Sequence, residues 1–204
     1  MVFCEGDTEY NYIDGMRVNQ GVELELKPIN MNGGGYSNFL ENIKCQAKTN
    51  CIAKFIIIDL DRLFTQVGEG RCLKELIDYC DLQNKNDNIP HFLIVDNPDF
   101  EYLACLHIPE YGGKDTTKYI TNVLGFKDLA SFKSKKDIFD YLNHGNNSYA
   151  TMLSKLSGKA TLIRNQYTCF RNRFEIKNKM TIYWDTLSIK GSNIDDFYKI
   201  IEWK

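Results

Sequence analysis

The chain has 204 residues, 43% of them hydrophobic and 13% aromatic, and carries a formal net charge of -2 at neutral pH. That is enough apolar material to bury one sizeable core, so a globular chain is expected. Its seven cysteines are odd in number and include no CxxC or Cys/His pair at zinc spacing, which argues against a zinc module and for reduced thiols.

No apolar run approaches the roughly 18 residues that a membrane span needs, and an acidic turn begins at Glu5, which argues against a leader segment. A soluble, cytoplasmic protein without a membrane partner is expected. The charge is unevenly spread. Residues 1–130 hold 12 Lys+Arg against 20 Asp+Glu, a net of -8, and residues 131–204 hold 13 against 7, a net of +6, which together make -2. An acidic, metal-holding half and a basic half facing a polyanion would produce that asymmetry; so would ordinary surface composition.

In chain order, "MVFC" reads as a buried strand. Asp7 or Thr8 caps a helix behind it, with Tyr10, Ile13 and Met16 or Arg17 at helical spacing. "GVELELKPI" alternates apolar and polar residues and predicts a strand; "NMNGGGYS" turns the chain into a helix from about Ser37 to Lys48. "AKFIIIDLD" is the near-continuous apolar run of a central parallel strand, followed by a helix bearing Leu73, Leu76, Ile77 and Cys80. "HFLIVDNP" repeats that strand pattern, and Pro98 opens a helix over DFEYLACLHI. Four strand–helix alternations before residue 110 predict an α/β fold with a mostly parallel sheet flanked by helices. Helices are expected near 116–124, 135–143 and 148–165, with "NIDDFYKIIEWK" closing the chain. One domain follows: a core over 1–112, and a helical, basic C-terminal part over 113–204 packed on it or completing it.

Ligand sites of open parallel sheets lie beyond the carboxyl ends of the strands. Glu5, Asp59, Asp61 and Asp96 fall there. Residues two apart on an extended segment point the same way, so Asp59 and Asp61 can converge on one ion, joined by Glu5 if its strand is a neighbour. A set without histidine or cysteine suits Mg²⁺, with Mn²⁺ as a substitute, rather than zinc. The competing reading is that each is a turn residue or helix cap. Asp7 caps the first helix on that view, and Glu9 is favoured by the dipole of its first turn. A DxD pair also serves haloacid-dehalogenase-type phosphatases, but there it follows the first strand. Nucleotide-sugar transferases use longer domains, and response-regulator receivers need no second Asp.

"CEGDTEYNYI", "IIIDLDR" and "DNPDFEYLACLHI", in this order, resemble the three motifs of the RloB family of Toprim-domain proteins, more distantly related to OLD-type Toprim nucleases. The resemblance covers residues 1–110. It implies a Toprim-like sheet on which Asp59 and Asp61 bind Mg²⁺, Glu5 acts as a metal ligand or general acid/base, and the set supports phosphodiester hydrolysis, with Glu9 assisting. By the same carry-over Asn97 and Glu101 shape the site's rim or a second metal position, and Lys114 neutralises the phosphate; Arg62, directly after the DxD pair, is expected to bind substrate. It further implies a nuclease of bacterial anti-phage defence acting on DNA or on RNA such as tRNA, with an ATPase partner and room for a homodimer. From the residues themselves, "FKSKKD", "IRNQYTCFRNRF" and "KNK" interleave cations with aromatics as a nucleic-acid surface requires, Arg171 and Arg173 foremost. Two alternatives stand beside this: a non-catalytic Toprim-fold regulator or binding module, and a DxD phosphatase-like enzyme.

Overall fold

Three short apolar runs form the middle of a parallel sheet in the computed structural model, which describes residues 1–19, 25–46, 51–86, 89–169 and 176–203. The first half runs β1 (Val2–Cys4), α1 (Asp7–Val18), β2 (Pro28–Asn30), α2 (Gly35–Cys45), β3 (Lys54–Asp59), α3 (Asp61–Thr65), α4 (Glu69–Lys85), β4 (His91–Asn97) and α5 (Phe100–Leu106). The second half is α6 (Thr116–Asn122), α7 (Leu129–Lys133), α8 (Ile138–Leu142), α9 (Tyr149–Leu156), β5 (Ile163–Cys169), β6 (Ile176–Ile182), β7 (Gly191–Ser192) and α10 (Ile194–Ile200). The main sheet has the order β2-β1-β3-β4-β7, with the first four strands parallel and β7 antiparallel at one edge. The fold is therefore α/β, with a mostly parallel sheet between helices.

Alternation along the strands makes two cores. Val2, Cys4, Phe55, Ile57, Phe92 and Ile94 pack with α1, α5, α8 and α10. Phe3, Ile56, Ile58, Leu93 and Val95 face α2 and α4. Both faces are apolar, which is why β3 and β4 read as unbroken hydrophobic runs. The part after residue 112 completes the first core rather than forming a separate one. Tyr12 of α1 meets His107 Nε2 at 2.7 Å and Tyr198 Oη at 2.5 Å, so α1 is tied to the end of α5 and to α10. Gly15 lets α8 come close: a Cβ there would lie 2.4 Å from the Cβ of Phe139.

Several elements differ from the sequence reading. Within "GVELELKPI", residues 21–24 lie outside the described residues, and the strand is Pro28–Asn30 rather than the alternating stretch. The second helix starts at Gly35 and ends at Cys45. The helix expected over 135–143 is the short α8, preceded by a separate α7. The helix expected over 148–165 stops at Leu156; Gly158, at φ +77°, reverses the chain and Ile163 begins β5. Asp7 lies inside the first helix turn and makes no side-chain cap, whereas Asp99 caps α5 by accepting from the Tyr102 N–H.

The far edge of β4 is closed by side chains where β7 is too short to reach. Asn193 accepts the Val95 N–H at 2.7 Å and donates to the Leu93 carbonyl at 3.0 Å. Asn165 donates to the same Leu93 carbonyl and Asn178 to the His91 carbonyl. Asn193 is fully buried, so Asn193→Ala strands a buried N–H with no replacement partner. A loss of about 2–3 kcal/mol is expected in chemical denaturation. A loss under about 0.5 kcal/mol, the level of an ordinary surface substitution, would sink this account of the edge.

Candidate functional site

β1 and β3 are parallel neighbours with Cys4 opposite Ile57, so Glu5 and Asp59 emerge at the same edge of the sheet. β4 adds Asp96 directly opposite Asp59. α1 begins two residues after Glu5 and carries Glu9 inward on its first turn. Glu5, Glu9 and Asp59 are all buried, while Asp61 stands exposed at the rim on α3. Together with Arg62 and Lys133 they line one recess of about 290 Å³.

Local hydrogen bonds fix the walls. Glu5 Oε2 accepts the Asp59 N–H at 3.0 Å, and Oε1 accepts Arg62 Nε–H at 2.9 Å. Asp59 Oδ1 accepts the Phe100 N–H at 2.9 Å, and the Asp59 carbonyl accepts the Tyr36 hydroxyl at 2.6 Å. Opposite these, Glu101 accepts Thr8 Oγ1–H at 3.0 Å and Lys133 Nζ at 3.0 Å. The loop after β2 completes the rim: Asn32, Gly33, Gly34 and Gly35 all have positive φ, and the Gly33 N–H donates to the Glu5 carbonyl at 2.8 Å. Four left-handed residues in succession explain the three glycines, since a side chain is strained in that region.

The recess is electrostatically unbalanced. The carboxyl groups of Glu5, Glu9, Asp59 and Asp61 line it with two cations, Arg62 and Lys133, and the buried Glu101 and Asp96 lie near enough to act on them. Burial first, and then Glu101, hold the Glu9 carboxyl above the usual carboxylate range. Burial, and then Glu9, Glu101 and Glu5, raise Asp59 well above it. Burial pushes Asp96 up to about 7 against the Ser192 hydroxyl, and neither Asp96 oxygen has a hydrogen bond of good geometry. Burial disfavours the Lys133 ammonium, but Glu101, with Asp59 and Glu9 behind it, outweighs that and raises its pKa.

A hard cation suits this donor set chemically, because the donors are all carboxyl oxygens, with no histidine or cysteine among them. The side chains are not yet arranged for one. Among the described residues, no three His, Cys, Asp or Glu side chains form a ready ligand group. Both Glu5 oxygens and Asp59 Oδ1 are engaged by Arg62 and by backbone N–H groups.

The other expected residues have different surroundings. Asn97 donates to the Leu187 and Ile189 carbonyls, both at 2.8 Å, and so anchors the loop before β7. Lys114 is exposed, and the lysine that lines the recess is Lys133 from α7. In the sequence Lys133 is only one of several cations in "FKSKKD"; Phe132 beside it is fully buried and aims α7 into the fold. Thr8 was likewise read only as a cap. Arg171 and Arg173 lie outside the described residues. Arg164, from the same basic stretch, is paired with Asp195 at 2.7 Å, and Asn165 and Asn178 face inward to β4. Among the described residues no helix is long and apolar enough to cross a membrane. No protein family, curated protein or solved structure matches this chain.

Proposed function

We propose that this chain is a Toprim-type, Mg²⁺-dependent nuclease that hydrolyses phosphodiester bonds of DNA or RNA. The observation that carries the reading is the meeting of Glu5, Glu9 and Asp59, from two adjacent strand ends and the first helix, in one recess that also holds Arg62 and Lys133. Glu5, Asp59 and Asp61 would hold the ion. A bound divalent ion supplies an activated water and relieves charge on the scissile phosphate. The chain's own groups do the rest. Lys133 and Arg62 attract the phosphate, and the buried Glu9 carboxyl keeps a proton at the recess wall, where a leaving oxygen needs one. The likeness to the RloB family, the defence role and the ATPase partner rest on the three motifs alone.

A second reading, a binding module without catalysis, is favoured by one observation: Glu5 is already paired with Arg62, and no ligand group is preformed among the described residues. Incubation of the wild type and Glu5→Ala with plasmid DNA and total tRNA, in Mg²⁺ or Mn²⁺ and in chelator, separates the readings. Metal-dependent cleavage that Glu5→Ala loses is expected. Cleavage unchanged in Glu5→Ala would refute the site. Turnover of small phosphomonoesters with polynucleotides spared would indicate the phosphatase-like enzyme instead.

A further inference from the structure

Arg62 stands in an unusual position for a residue expected to hold substrate. Its guanidinium is pinned on Glu5, through Nε alone, at 2.9 Å. Arg62 Nη2 lies along the glycine loop, 3.5 Å from where a Cβ on Gly33 would be. Among the described residues the guanidinium makes no other hydrogen bond or ion pair. The contact is therefore single-pointed, not the two-pronged fork that makes Arg–carboxylate pairs strong and specific. It is also partly open, with the Arg62 side chain 24% exposed and that of Glu5 10%.

We propose that Arg62 is a built-in placeholder for the metal: it pairs with Glu5 until a divalent ion binds, is displaced by that ion, and then turns its guanidinium toward the substrate phosphate. This deepens the nuclease reading and rests on it. Three features support it. Glu5 is buried, and Arg62 brings it a single positive charge at 2.9 Å. A divalent ion brings two charges to the same oxygens and so competes on favourable terms. Arg62 sits on the five-residue α3 beside Asp61, so leaving Glu5 needs only side-chain rotation about a fixed backbone. The same movement would make substrate affinity depend on metal, because a guanidinium released from Glu5 no longer shares its charge with a carboxylate and can offer Nε as well as both Nη groups to a phosphate.

The test is Mn²⁺ binding, followed by electron paramagnetic resonance and calorimetry, together with melting temperatures with and without Mg²⁺. It compares the wild type, Arg62→Gln and Arg62→Lys. Arg62→Gln is expected to bind Mn²⁺ on the order of ten-fold more tightly than the wild type and to gain more in melting temperature from Mg²⁺. Arg62→Lys keeps the charge and should stay near the wild type. If Arg62→Gln is poorly folded without metal, its larger stabilisation by Mg²⁺ still reports the effect. Wild type and Arg62→Gln binding equally would overturn the placeholder alone, as would Arg62→Lys behaving like Arg62→Gln. No binding by any of the three would overturn the metal site itself, and the placeholder with it.

Discussion

Replacing Asp59 by asparagine is expected to raise the stability of the fold at pH 8 while cutting polynucleotide cleavage on the order of 10³-fold, the loss of several kcal/mol of metal-borne stabilisation. The two effects have opposite signs for one reason. Asp59 is buried at the end of β3, with Glu9, Glu101 and Glu5 near enough to disfavour its charge. An amide removes that charge and its desolvation. It also keeps the local structure, because Asn Oδ1 can still accept the Phe100 N–H that Asp59 accepts at 2.9 Å. A carboxylate retained only for packing or capping would give the reverse: lower stability on substitution and unchanged chemistry. Chemical denaturation at pH 8, set beside the cleavage assay, reads both signs in the same preparation. A destabilised Asp59→Asn protein with full activity would defeat the proposal. A stabilised, inactive one matches the usual cost of holding a functional site in unfavourable charge.

The residues that were legible in the sequence share a physical cause. β3 and β4 are covered on both faces, so nearly every position must be apolar, and "FIII" and "FLIV" announce themselves. Glu5 and Asp59 were legible because charge directly after such a run can be placed only at a strand end. The counter-charges were not. Arg62 reaches Glu5 across 57 residues, and Lys133 reaches Glu101 across 32, through a helix that carries no acidic motif of its own. The asparagines closing β4 were also invisible, since Asn165 and Asn178 sit in a stretch that reads as a basic surface, and their role appears only when β5 and β6 fold against β4. The false helix over 148–165 is a different failure. Its stop signal, Ser157–Gly158, is present in the sequence, and the β5 strand begins only five residues later at Ile163, inside the stretch expected to be helical.

Asp96 makes the fold's stability depend on pH in a direction opposite to ordinary acid denaturation. Its carboxyl titrates at about 7 in the folded chain against an ordinary 3.8, so between those values the folded state holds a proton that the unfolded state has released. The contribution is fully present below pH 3.8 and is lost as pH rises through 7, at about 1.4 kcal/mol for each pH unit, or about 4 kcal/mol in all. Burial of His91 and His107 works the other way. Both are lowered to about 4, so their unfolded forms take up protons first and stability falls as pH drops from 6.5 toward 4. The whole-protein curve should therefore fall on the alkaline side, above about pH 6.5, where the histidines no longer oppose the raised carboxyls of Asp96, Glu9 and Asp59. Asp96→Asn isolates the term, because the histidines cancel in the difference between the variant and the wild type. The amide replaces oxygens that already lack well-formed hydrogen bonds, so its fixed cost is independent of pH and only the slope carries information. Stability of Asp96→Asn relative to the wild type should rise by about 4 kcal/mol from pH 4 to pH 7.5, measured by urea denaturation at several pH values. A flat difference would mean that Asp96 stays ionised in the folded chain, and that a cation or proton donor compensates it from within the recess.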